Sequence, residues 1–281
     1  MPPPREGAAF PEPGERLGPY TLAEPLGRGQ VGAVFRAQGP PGEVALKVLH
    51  AGLAEDPSYR RRFERESEVA RALDHPHLLR VVDHGEADGR PYLAAPFVAG
   101  GSLADRLAAG PLEREELVRV VRHVASGLDA LHRAGLLHRD VKPSNVLLRE
   151  DGAAALGDFG LARAKAHTVL TQEGRVAGTA DYLAPEAIRG EPVGPRADVY
   201  ALGCLAYECA TGAPPFAAAR SVVAACRAHL LEEPADPAAA RADLPAPLAA
   251  ALLTALAKEP ERRPATGTAY AFLLRAGARG A

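Results

Sequence analysis

Tryptophan is absent from the 281 residues, methionine occurs once, and aromatic residues make up only 5%. Packing must therefore be carried by Ala, Leu and Val, and the 47% hydrophobic content is enough for a sizeable core. Cysteine is scarce as well. Cys204, Cys209 and Cys226 form no C-x-x-C pair and lie in Ala-rich surroundings, which argues against a disulfide scaffold and for buried, reduced thiols. No apolar run approaches the ~20 residues of a membrane-spanning helix. The N-terminal stretch MPPPREGAAFPEPGER lacks the apolar centre of a signal peptide. A net charge of -2 gives no bulk signature of a nucleic-acid binder. The expectation is a soluble cytoplasmic protein with no membrane span and no nucleic-acid partner.

What is present is a length suited to one domain, or two lobes sharing a cleft. Residues 1–16, rich in Pro and Gly, are expected to form a mobile tail. Residues 20–49 read as three short strands separated by turns. Between the first two lie Gly27-Arg28-Gly29-Gln30-Val31-Gly32. A dinucleotide fold would need a helix directly after these glycines. AVFRA, a strand, follows instead, so the glycines suit a hairpin lid over phosphates. Lys47 sits in the apolar run Val44–Leu49, where a charge wants a partner. PSYRRRFERESEVARALD reads as a helix with Phe63, Ala70 and Leu73 on its apolar stripe. Most of its charges suit a solvated face, but Glu66 is placed to face Lys47. Strands are expected at Leu78–Asp83 and Pro91–Pro96. After Gly100-Gly101 the pattern turns mainly helical.

The stretch HRDVKPSNVLLREDGAAALGDFG, residues 138–160, organises the rest. Asp140, Asn145 and Asp158 bring two carboxylates and an amide onto neighbouring loops. Such a set suits a divalent metal with phosphate and the orientation of a hydroxyl.

Together these motifs resemble the eukaryotic-type protein kinase family, in particular bacterial serine/threonine kinases, over about residues 17–275. The resemblance implies an α+β, bilobal protein-kinase fold. An antiparallel β-sheet plus one main helix would form the N-lobe over 17–98, and a mostly helical C-lobe would span 99–275, with 276–281 a second tail. It implies transfer of the γ-phosphoryl group of ATP to Ser/Thr hydroxyls of protein substrates, with Mg2+, or Mn2+ in its place. Gly27, Gly29 and Gly32 match the glycine-rich loop. Lys47 matches the lysine that contacts the α- and β-phosphates, and Glu66 the glutamate that pairs with it. Leu26, Val34, Ala45 and Leu147 are assigned with them to the nucleotide site. Asp140 matches the catalytic aspartate, Lys142 the lysine that neutralises the transferring phosphate, and Asn145 and Asp158 the metal ligands. The resemblance makes His138 a core residue. It also pairs Glu186 of Ala184-Pro185-Glu186 with Arg263, and has Asp198 hold the catalytic loop.

Residues 158–186 look like an activation segment. Arg139 precedes the catalytic aspartate, as in kinases switched on by phosphorylation there. Thr171 is the first candidate acceptor and Thr168 the second. Glu173 is expected to supply a fixed negative charge in place of a phosphate, and Thr179 to hydrogen-bond Asp140 and Lys142. Autophosphorylation would proceed through a transient homodimer. The hinge departs from the usual pattern. Small Ala95 is expected to leave the back pocket open, while Pro96 keeps its carbonyl and Val98 its amide for adenine. Ser102 and Ser144 replace the acidic residues of arginine-directed kinases. The chain stops after its last helix, so the membrane span and external sensor of many relatives are expected to be absent. A binding scaffold would show degraded Lys47, Asp140 or Asp158, and none is degraded. A small-molecule phosphotransferase would lack the docking loop and the Ala-Pro-Glu closure, and both are here.

Overall fold

The computed structural model describes residues 10–28, 32–50, 55–158 and 180–280. The chain divides into two compact units. Unit 1 takes the chain up to Leu73 and then Arg80–Val98; unit 2 takes Asp74–Leu79 and the chain from Ala99 onward.

Unit 1 is built on an antiparallel sheet of order β1-β2-β3-β4-β6-β5, with β1 Arg16–Leu17, β2 Tyr20–Arg28, β3 Gly32–Gly39, β4 Gly42–Leu49, β5 Asp83–Ala87 and β6 Arg90–Pro96. Alternation along β4 sends Val44, Leu46 and Val48 into the core with Phe35, Tyr20, Tyr92 and Ala94. Helix α1, Pro57–Ala72, starts at an Asp56 cap, whose side chain accepts from the Ser58 N–H, and buries Tyr59, Phe63, Ser67 and Ala70.

Two expectations need correction here. The tail drawn over residues 1–16 is shorter, because the Phe10 ring packs against His50, tilted, with centroids 4.5 Å apart, and the Gly14 N–H donates to the Leu22 carbonyl. Residues 1–9 lie outside the described residues. The strand expected at Leu78–Asp83 instead runs over Asp83–Ala87. Its sequence DHGEA is polar because it is an edge strand with one partner. Asp88 and Gly89, both with positive φ, close a tight hairpin into β6. The apolar run before β5 forms no strand of its own: Val81 is fully buried, and Leu78 makes a single bridge to Leu156.

Unit 2 is mainly helical. Its described helices are α2 Leu103–Leu107, α3 Arg114–Arg133, α4 Pro185–Arg189, α5 Pro195–Thr211, α6 Val222–Leu231, α7 Pro237–Ala240, α8 Ala246–Thr254 and α9 Gly267–Ala278. Helix α9 therefore continues past the expected boundary at 275. Helix α5 is buried almost all round, which its Ala- and Leu-rich sequence permits. Asp129 of α3 caps α9 by accepting from the Gly267 and Thr268 N–H groups at 2.8 and 2.9 Å. A small hairpin, β7 Val146–Leu148 with β8 Ala154–Leu156, completes the unit. Cys204, Cys209 and Cys226 are free and buried. No described helix is long and apolar enough to cross a membrane.

Candidate active site

Strand register places the candidate nucleotide residues of unit 1. Val34 lies opposite Lys47 and Arg36 opposite Ala45 across β3 and β4; Lys47 lies opposite Leu93 and Ala45 opposite Ala95 across β4 and β6. Directly opposed residues share a face, so Val34, Ala45, Lys47 and Ala95 line the side of the sheet away from the core. Gly27 pairs with Val34 at the mouth of the β2–β3 hairpin, near exposed Leu26. Gly32 admits no side chain, since a Cβ there would sit 2.2 Å from the Val48 carbonyl oxygen. Glu66 is half-buried on α1, while Pro96 is exposed and Val98 half-buried at the end of the unit. Gly29, with Gln30 and Val31, lies outside the described residues.

In unit 2 the loop before β7 is clamped from below by α5. The Asp198 carboxylate accepts from the His138 N–H and the Arg139 N–H, each at 2.8 Å, and bonds His132 Nε2 at 2.8 Å. Burial would raise the Asp198 pKa, but these hydrogen bonds and the neighbouring imidazoles hold it below the usual range. The clamp keeps Arg139 at φ +63°, a conformation its side chain disfavours; Asp158 has φ +55°. His138 is fully buried. Its Nδ1 accepts from the Asp140 N–H at 3.3 Å and its Nε2 donates to the Gly157 carbonyl at 2.9 Å. Burial lowers its pKa, so it is neutral and ties the two loops together. His132 was missed by the sequence reading; a polar residue on the buried stripe of α3 was the available signal.

Asp140 is held on two sides. Lys142 Nζ lies 3.1 Å from Asp140 Oδ2, and the Asn145 amide donates to the same oxygen at 3.0 Å and to the Asp140 carbonyl at 2.7 Å. Using its NH₂ this way leaves the Asn145 side-chain oxygen to a cation. The Gly157 N–H bonds to the Asn145 carbonyl at 2.8 Å, which ties the Asn145 turn to the residue before Asp158. Leu147 lies on β7, half-buried. Among the described residues no group of three or more His, Cys, Asp or Glu could hold a metal. One amide oxygen and one carboxylate form a hard, oxygen-only set, as suits Mg2+ that takes its other ligands from phosphate and water.

Farther along, Glu186 and Arg263 form a buried two-pronged ion pair with both contacts at 2.7 Å. Arg263 also donates to the carbonyls of Ala257, Arg196 and Lys258. This pairing is as expected. Tyr182, just before Ala184-Pro185-Glu186, hydrogen-bonds Glu208 of α5, a contact the sequence reading missed. Thr168, Thr171, Glu173 and Thr179 lie outside the described residues.

Residues 20–271 match the family model described as the protein kinase domain. The chain belongs to the protein kinase family. It is 41% identical over 253 residues to the serine/threonine-protein kinase PknH of Mycobacterium tuberculosis, a match covering 89% of this chain and 40% of that protein. It is 42% identical over 253 residues to the serine/threonine-protein kinase PknB of Mycolicibacterium smegmatis, with 87% of this chain and 40% of that protein covered. The chain thus spans less than half the length of these curated relatives. Among solved structures, the kinase domain of M. tuberculosis PknI aligns with a TM-score of 0.77 at 37% identity, covering 95% of this chain and 99% of that one. The bacterial protein-kinase fold and the α+β class inferred from the motifs are those of these relatives.

Proposed function

We propose that this kinase domain transfers the γ-phosphoryl group of ATP to serine or threonine hydroxyls of protein substrates. The observation that carries the reading is the Asp140 carboxylate fixed between Lys142 and Asn145, on a loop that Asp198 holds in a strained conformation. Asp140 orients the acceptor hydroxyl and takes its proton, and Lys142 neutralises charge on the transferring group. Asn145 and Asp158 hold Mg2+, or Mn2+, which when bound screens the phosphate charge. Lys47, paired with Glu66, positions the α- and β-phosphates. Gly27, Gly29 and Gly32 cover them. Leu26, Val34, Ala45 and Leu147 enclose the adenine, which bonds the Pro96 carbonyl and the Val98 amide.

Regulation in this reading falls to the activation segment. Phosphorylation of Thr171, or Thr168, by a second copy in a transient homodimer supplies an anion for Arg139. Glu173 contributes a fixed charge and Thr179 bonds Asp140 and Lys142. The domain works in the cytoplasm on protein substrates and has no nucleic-acid partner.

Incubation with labelled ATP and Mg2+ tests the reading. The parent should label itself and a generic protein substrate, and Asp140→Asn should lower the rate by about 10²-fold or more. Phosphosite mapping should find Thr171 or Thr168. No transfer by the parent would replace the enzyme with a binding scaffold.

A further inference from the structure

Three imidazoles meet where Asp74–Leu79 lies on α3, all within unit 2. The His77 and His123 rings stack with centroids 4.0 Å apart and planes 11° from parallel, and His75 meets His77 edge-on at 5.7 Å. Each ring is tied to backbone or hydroxyl. The Ala154 N–H donates to His123 Nδ1 at 3.2 Å, and His77 Nδ1 donates to the Ala154 carbonyl at 3.0 Å. The His77 N–H donates to His75 Nδ1 at 3.1 Å, and His75 Nε2 faces the Ser126 hydroxyl at 3.1 Å. Gly127 lets the helix press close, since a Cβ there would lie 2.6 Å from the His77 carbonyl oxygen.

These partners dictate the proton positions. An amide N–H only donates and a carbonyl only accepts, so Nδ1 is bare on His75 and His123 and carries hydrogen on His77. The Ala154 N–H is buried while Arg122 is exposed and can turn to water, so the amide takes the lone pair and His123 Nε2 carries a hydrogen although an Arg122 guanidinium nitrogen lies 3.1 Å away. The ring faces donors at both nitrogens and has one lone pair to offer. A further proton on His123 must go to Nδ1 and expel the Ala154 N–H. One on His75 must expel the His77 N–H. The facing charges agree. Burial, His77, Arg122 and Arg119 all oppose a proton on His123, with Asp151 favouring it; burial, His77 and Arg133 oppose one on His75.

We propose that His75, His77 and His123 form an acid-sensitive latch, which holds Asp74–Leu79 on α3 and β8 while His75 and His123 are neutral and releases it when His123 or His75 becomes cationic. The segment has consequences at both ends. It continues directly from α1, which carries Glu66. It also exchanges backbone bonds with β8, Leu156 N–H to the His77 carbonyl at 2.9 Å and Leu79 N–H to the Leu156 carbonyl at 2.8 Å, two residues before Asp158.

Nitrogen-15 NMR of the histidine rings tests the latch without relying on catalysis. At pH 7 the expected pattern is bare Nδ1 on His75 and His123 and a hydrogen on Nδ1 of His77. On acidification the Ala154 and His77 amide signals should shift with ring protonation while the far-ultraviolet circular dichroism still reports a folded chain. His123→Asn, whose Oδ1 can accept from Ala154 without titrating, should remove the Ala154 response. A hydrogen on His123 Nδ1 at pH 7, an unchanged Ala154 response in His123→Asn, or amide shifts coincident with global unfolding would each overturn the proposal. Should His123→Asn fail to fold, the ring pattern of the parent decides.

Discussion

The Asp198 carboxylate accepts a 2.8 Å hydrogen bond from the Arg139 N–H, and Arg139 stands at φ +63°. A bond between a buried anion and a strained residue means that the anion supports the strain. Asp198→Asn keeps one accepting oxygen and turns an NH₂ toward an amide donor. We expect the catalytic loop to relax, a stability loss of about 1–3 kcal/mol, and a fall in kcat larger than any rise in KM. Steady-state kinetics with denaturant melts of both proteins check this; equal kcat in parent and variant would contradict it.

Glu186 and Arg263 carry a buried pair at 2.7 Å on each prong. Removing one partner leaves the other charge uncompensated, which costs about 3–5 kcal/mol. Glu186→Gln should therefore lower Tm by roughly 10 °C in a chain of this size. Arg263→Lys should fare little better, because an ammonium cannot reproduce the fork or reach the same carbonyls. Calorimetry of the three proteins decides, and a Tm within a few degrees of the parent would refute the expectation.

The buried His229 gives stability a sign with pH. Its Nδ1 bonds the Tyr200 hydroxyl at 2.8 Å, and burial lowers its pKa to about 4. The unfolded chain takes up this proton near pH ~6.5. Since the folded pKa is the lower one, the contribution is fully present above pH ~6.5 and is lost as pH falls toward 4, up to ~3 kcal/mol. Urea unfolding of the parent and His229→Gln between pH 7 and 4.5 should give curves that converge on acidification. Parallel curves would show that another group sets the slope.

Ala95 is buried on β6 opposite Ala45, two small residues side by side. A bulky-substituted purine should inhibit the parent at least tenfold more strongly than Ala95→Met, a difference of ~1.4 kcal/mol. Equal inhibition constants would show that the pocket is closed by something else.

Much of this was legible because motifs and local patterns act over a few residues. The apolar run Val44–Leu49 marked β4 and singled out Lys47, and the stripe of Phe63 and Ala70 marked α1. The HRD and DFG stretches named their own neighbourhood, and the resemblance carried Glu186–Arg263 and Asp198 across long separations. What escaped was structure that composition disguises. The polar strand Asp83–Ala87 is stabilised by one neighbour and by Tyr20, whose hydroxyl bonds Asp83 at 2.7 Å. Phe10 is a single aromatic in a Pro-rich stretch, and its docking on His50 depends on tertiary contact alone. His132 and the His77–His123 stack join residues with no pattern between them.

The three thiols described above are buried, and burial pushes each above its ordinary pKa. They are consequently poor nucleophiles in the folded chain. A cysteine introduced at an exposed position will react with maleimide against a silent background. Fluorescent or spin-label pairs, one in each unit, can then be attached without first removing a native cysteine.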